Sequence, residues 1–444
     1  MQALRSRRVA LLRLLLASAP FVVAPGRVAA QDTRQVTRQG FAPERLARID
    51  RFLQQAVDSN RIAGAVGLVI RDGVVVYERA VGWSDREQNR RMTTDAIFRV
   101  ASQTKAITST AVLMLVEEGR IALDDPVSRF IPAYAATSVA DRADSGRTVA
   151  PARRLITIRD LLTHTAGISY GTDRYIAPQY AAKGLGPVAG FGWYTADKDE
   201  PVCATMERLA TIPFVAQPGT AWVYGYNTDI LGCVVERASG IPLDQFITTR
   251  ITGPLGMRDT EFFLSASKRA RLVTVYASDS TNHVARAVEG SRGQGAYVEG
   301  PRRNFSGGAG LLSTARDYAR FLQMILNHGQ LDGVRLLSPK MVDLMITNQS
   351  GALYSRDGMG FGLAFENVQR PGANGLATIG SFGWAGAYGT RYDVDPAEHL
   401  IMLFMMNLVP NRSGVAAAFP TLVYQALIDA RAGCPRDCAG SPPR

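Results

Sequence analysis

The chain has 444 residues, 46% of them hydrophobic, and a formal net charge of +11. Five arginines (5, 7, 8, 13 and 27) and no acid fall in the first 30 residues, so the remainder carries +6 (11 − 5); without a basic run interleaved with aromatics, that excludes a nucleic-acid surface. The four histidines, 164, 283, 328 and 399, are scattered without ligand spacing, so the pattern predicts no metal and no other cofactor.

Residues 1–30 read as a signal peptide. Arg5, Arg7 and Arg8 form a basic start, an apolar run interrupted by Arg13 follows, and Val28-Ala29-Ala30 offers a cleavage site before Gln31. Pro20 and Pro25 argue against a stable membrane span, and Arg7-Arg8 also fits a twin-arginine signal. The expected location is therefore across the inner membrane, periplasmic or extracellular. Such a compartment permits disulfides, with Cys434 and Cys438 in the tail the favoured pair and Cys203 and Cys233 the other two cysteines. Composition says nothing about oligomeric state.

An amphipathic helix is predicted over residues 45–59, then a hairpin of residues 66–70 and 74–81 turning at Asp72-Gly73. Next comes Ser102-Gln103-Thr104-Lys105, where a helix begins. Three residues apart on a helix, the hydroxyl and the amine share one face. A serine hydroxyl needs an adjacent base, and lysine can be that base only where burial disfavours its ammonium. Arginine could not serve, because it is not deprotonated in proteins. Only five lysines stand in the chain (105, 183, 198, 268 and 340), so a lysine here supports a chemical role. The helix is apolar on every side through Val116 and stops at Glu117-Glu118-Gly119, which predicts burial. Its N-terminal end suits a developing oxyanion. Capping alone would be the ordinary explanation of an isolated match.

Two further matches read as decoys. Ser265-Ala266-Ser267-Lys268 lies among charged residues that would not desolvate its lysine. Gly167-Ile168-Ser169-Tyr170-Gly171 matches a nucleophile elbow, but that motif needs a strand before the serine and a helix after it. Here a helix over residues 156–165 precedes it and a polar stretch follows, so it reads as a helix-end loop.

Two segments enlarge the Ser/Lys pair: Pro218-Gly219-Thr220-Ala221-Trp222-Val223-Tyr224-Gly225-Tyr226-Asn227, and Gly383-Trp384-Ala385-Gly386-Ala387-Tyr388-Gly389. With Ser102 and Lys105, with Leu161-Leu162-Thr163-His164-Thr165-Ala166-Gly167, and with Ser306-Gly307-Gly308-Ala309-Gly310-Leu311-Leu312-Ser313-Thr314, the chain resembles the serine β-lactamase and penicillin-binding-protein superfamily. Within it, residues 63–407 look most like the family VIII carboxylesterases, which share the class C β-lactamase fold. The resemblance implies Ser102 as nucleophile, Lys105 as general base, Tyr224 as second base or proton relay, and the Ser102 and Ala387 N–H groups as oxyanion hole. Tyr226 competes with Tyr224 on sequence alone. Spacing from Trp222 favours Tyr224 and leaves Tyr226 where the family often has an amide-binding asparagine. Trp384 stands where β-lactamases carry a carboxylate-binding lysine and offers an apolar face and one N–H. Trp384, Gly386 and Tyr226 are the implied substrate-binding positions.

The implied fold is an α/β lobe with an antiparallel sheet flanked by helices, interrupted by an inserted all-α lobe (β-lactamase/transpeptidase-like). The division is 31–135 for the first part of the α/β lobe, 136–309 for the mainly helical lobe, 310–430 for the second part and 431–444 for a flexible tail. Helices are predicted over residues 314–327, 339–347 and 415–430, and paired strands around Asp395-Pro396. The site would lie at the lobe junction. The expected activity is an exported serine hydrolase working through an acyl-enzyme on small-molecule carboxylic esters. The alternatives are a β-lactamase or D-amino-acid peptidase on the same scaffold, or a non-catalytic penicillin-binding-like module.

Overall fold

The computed structural model describes residues 33–143, 146–187, 195, 197–288, 297–354 and 356–429. The expected signal peptide and the tail with Cys434 and Cys438 lie outside the described residues.

Strands from both ends of the chain build one sheet. β1 (Gly64–Arg71), β2 (Val74–Asp85) and β3 (Arg90–Arg91) come early; β4 (Met359–Phe361), β5 (Glu366–Val368), β6 (Phe382–Ala385), β7 (Arg391–Asp395) and β8 (Leu400–Met405) come late. Their order is β4-β5-β6-β7-β8-β1-β2-β3, antiparallel throughout. The β1–β2 turn places Asp72 at φ 53° and Gly73 at φ 74°, the left-handed pair that a two-residue hairpin favours.

The helices packed on and beside the sheet are α1 (Pro43–Asp58), α2 (Thr104–Glu117), α3 (Ile158–Leu162), α4 (Asn227–Ser239), α5 (Ala315–Leu326) and α6 (Val415–Tyr424). Side chains alternate across a strand, and β8 shows the consequence. Leu400, Met402 and Phe404 pack with Leu46, Ile49 and Leu53 of α1 and Phe419 and Val423 of α6. Ile401, Leu403 and Met405 face the larger core with α2 and α5. Both faces are covered, so β8 reads as a continuous apolar run. α2 is buried from Thr104 to Leu115, as its all-round apolarity predicts.

The inserted region packs α3 and the Val202–Leu209 helix around α4, which also lies against α2. It also carries a hairpin, Ser138–Ala143 with Gly146–Pro151, that the sequence pattern does not signal. The other two cysteines, Cys203 and Cys233, are bonded, their Cα atoms 4.9 Å apart, because the Val202–Leu209 helix lies against α4. That pairing is tertiary and leaves no mark in cysteine spacing. Among the described residues no helix is long and apolar enough to cross a membrane.

Candidate active site

Ser102 sits on a single 3₁₀ turn, Ala101–Gln103, that runs straight into α2. Ala101 holds φ at 44°, an uncommon left-handed conformation for a residue with a Cβ and one that clusters at functional sites. One turn on, Lys105 is 3% exposed. Its Nζ donates to Ser102 Oγ at 3.3 Å, Tyr170 Oη at 2.8 Å and Gly308 O at 2.7 Å. Three acceptors match the three donors of an ammonium. After loss of a proton, the Gly308 carbonyl still requires one N–H, so the lone pair must face one of the two hydroxyls. That geometry lets Lys105 take a proton from Ser102.

Aromatic rings enclose the amine. The Tyr224 ring centroid is 4.8 Å from Lys105 Nζ, and Tyr224 Oη accepts from Trp384 Nε1 at 3.1 Å. Trp222 stacks on Tyr224 with centroids 5.7 Å apart, and His164 packs on it at 4.8 Å. Burial, with Lys105 adding repulsion, pushes His164 well below the usual imidazole value. A neutral ring therefore lies beside the lysine, its Nδ1 2.8 Å from Asn227 Nδ2.

Tyr226 does not touch this site, which corrects its expected role in substrate binding. Its side chain is 1% exposed between Tyr170 and Tyr180, and its hydroxyl accepts from Gly186 N. The tyrosine that bonds Lys105 is Tyr170, which sequence reasoning left inside the helix-end loop. That loop is as expected for Ser169, whose Oγ accepts from Gly171 N at 3.0 Å. Nothing in local spacing marks its neighbour as facing a lysine 65 positions away. The second decoy is also plain: Lys268 pairs with Glu261 at 2.9 Å and Asp259 at 3.3 Å. Burial works against its charge, but these carboxylates outweigh burial and raise it.

Gly386 brings a second backbone segment to Ser102. A Cβ there would lie 2.4 Å from Val100 O and 2.2 Å from Thr390 Oγ1, so only glycine allows the approach. The N–H groups of Ser102 and Ala387 donate to no described residue, and both residues line one cavity. Its volume is about 710 Å³, with Tyr170, Tyr224 and Trp384 in the wall near Ser102. At its far side Arg356 pairs with Glu366, and Arg391 with Asp393 through two bonds of 2.6 Å. Both arginines are thereby neutralised. A larger cleft, about 920 Å³, lies near Asp72, His328 and His399 and contains neither Ser102 nor Lys105. Among the described residues no group of three or more His, Cys, Asp or Glu is placed to hold a metal.

The sequence profile of the family described as Beta-lactamase matches residues 49–425. Esterase EstB of Burkholderia gladioli is 35% identical over 377 residues, covering 81% of this chain and 90% of that one. Lovastatin esterase of Penicillium rubens is 33% identical over 317 residues, 68% and 73% of the two chains. Among solved structures, EstCE1, described as a hydrolase with promiscuous acyltransferase activity, superposes with a TM-score of 0.73 at 27% identity, covering 87% of this chain and 99% of its own.

Proposed function

The chain belongs to the β-lactamase family and is a serine hydrolase of that fold, and from that premise we propose that it hydrolyses carboxylic esters through an acyl-enzyme on Ser102. Lys105 takes the Ser102 proton as Oγ bonds the ester carbonyl carbon. The Ser102 and Ala387 N–H groups receive the oxyanion. As the C–O bond to the alcohol breaks, the proton passes to the departing oxygen through Tyr224. Trp384 donates to Tyr224 Oη, so the phenol's own proton points away from the indole, free to be transferred. Tyr170 holds Lys105 in register. Water then repeats the sequence on the acyl-enzyme and releases the acid.

The observation that carries the ester reading is Trp384. Its N–H is committed to Tyr224, no lysine stands there, and the cavity's two arginines are paired with carboxylates. A substrate carboxylate would be desolvated without a partner, whereas an uncharged ester avoids that cost. A β-lactam or D-amino-acid peptide is the weaker reading on the same residues. The test is a panel of acyl nitrophenyl esters beside a chromogenic cephalosporin, with fluorophosphonate labelling of wild type, Ser102→Ala and Ser169→Ala. Ester turnover should dominate and only Ser102→Ala should abolish both signals. Cephalosporin hydrolysis matching ester turnover would overturn the ester reading, and a label on Ser169 would overturn the nucleophile.

We also propose export. The signal-like residues 1–30 support it, as does the Cys203–Cys233 disulfide, since such bonds persist in oxidising compartments. A mature N-terminus at Gln31 is expected from sequencing the secreted protein, and an intact Met1 on active protein in the cytosol would overturn it.

A further inference from the structure

Near Lys105 but outside the lining of the Ser102 cavity lies a carboxylate that the mechanism above does not use. Asp229 stands in the first turn of α4 and is 1% exposed. Its Oδ1 accepts from Ser306 Oγ at 2.5 Å and from Gly308 N at 3.1 Å. The same Gly308 turns its carbonyl to Lys105 Nζ at 2.7 Å, and Thr108 Oγ1 of α2 ties down Gly307 O at 2.9 Å. The fit leaves no room: a Cβ on Gly308 would lie 2.3 Å from Asp229 Oδ2, and one on Gly307 2.6 Å from Thr228 O. The acceptor that orients the base is thus itself gripped by a buried acid.

The charges point the same way. Burial pushes the Asp229 carboxyl up, and Lys105 is the one cation that pulls it back. The other titratable groups facing Asp229 are Tyr134 and Tyr226, and Lys105 is faced by Tyr170, Tyr224 and His164. None of these is a second carboxylate.

We propose that Asp229 is a positioning residue for the Ser102–Lys105 pair: it clamps the Gly308 carbonyl against the lysine amine and provides the buried anion that opposes its ammonium. The proposal rests on the reading of Ser102 as nucleophile and Lys105 as base. Replacing Asp229 by asparagine keeps the shape and one oxygen acceptor but removes the anion. The ammonium then loses its counter-charge, and the acid limb of the kcat/KM profile for nitrophenyl acetate should move to lower pH by about one unit. Gly308→Ala keeps the charge and displaces the clamp, so kcat should fall about tenfold or more with KM near wild type. Ser306→Ala removes one grip and should lower kcat in the same direction.

These variants are to be assayed with folding checked by circular dichroism. A pH profile for Asp229→Asn that superposes on wild type would overturn the proposal. If that variant does not fold, wild-type kcat in both Gly308→Ala and Ser306→Ala overturns it. Failure of the underlying reading is distinguishable, because it shows as continued labelling and turnover in Ser102→Ala, whatever Asp229 does.

Discussion

Two tyrosines face the proposed base and a third, Tyr226, is buried behind Tyr170, and removing each hydroxyl in turn should separate their contributions. Tyr170 Oη accepts from Lys105 Nζ at 2.8 Å. A hydrogen bond to a charged group contributes about 1.5–3 kcal/mol, so Tyr170→Phe should slow acylation by roughly 10- to 150-fold. Tyr224 Oη bonds Trp384 and is the proposed relay; loss of general acid–base transfer costs about 10²- to 10⁴-fold, so Tyr224→Phe should be the more damaging. Tyr226 Oη accepts the backbone N–H of Gly186, and neither residue lines the cavity, so Tyr226→Phe should cost about 1 kcal/mol of stability and leave turnover alone. The assay is kcat/KM on a nitrophenyl ester, with urea unfolding of each variant. A well-folded Tyr226→Phe that loses activity, or a Tyr224→Phe within about threefold of wild type where the relay loss should be at least about a hundredfold, would refute the assignment.

Lys105→Arg keeps a positive charge but no base, so it should lose activity nearly as fully as Lys105→Ala; retention of more than about a tenth of the wild-type rate would make the lysine a fixed charge instead. Opening the disulfide with Cys203→Ala and Cys233→Ala frees a loop with a sequence separation of 30, which should cost about 3.6 kcal/mol on the chain-entropy account, read by chemical denaturation at equal pH. His164 titrates lower in the folded protein than in the unfolded chain, so the unfolded state takes up the proton first as pH falls. Its contribution is whole above about pH 6.5 and declines below that value by up to about 1.4 kcal/mol per pH unit. Unfolding at pH 7, 6 and 5 should therefore show a shallower decline in His164→Phe than in wild type, and equal slopes would refute the buried neutral ring.

What the sequence determined by itself is local. Ser102 and Lys105 are one helical turn apart, so their meeting follows from helix geometry, and the apolar residues around α2 dictate that this turn is buried. The Asp72-Gly73 hairpin, the amphipathic α1 and the dismissal of Ser169 and Lys268 likewise depend on neighbours within a few positions. Trp384 and Gly386 were legible because resemblance to a family supplied what spacing could not. The tertiary structure decided the rest. Whether Tyr224 or Tyr226 faces the lysine depends on how residues 224–227 pass Ile168 and Ser169, where a Cβ on Gly225 would lie 2.2 Å from Ile168 O. Tyr170 and Gly308 reach Lys105 from 65 and 203 positions away, and Cys203 finds Cys233 only because two helices pack together. Periodicity records which face of an element is buried, but not which distant side chain will press against it. That choice is made by the packing of whole elements, and it is there that the base acquires its partners.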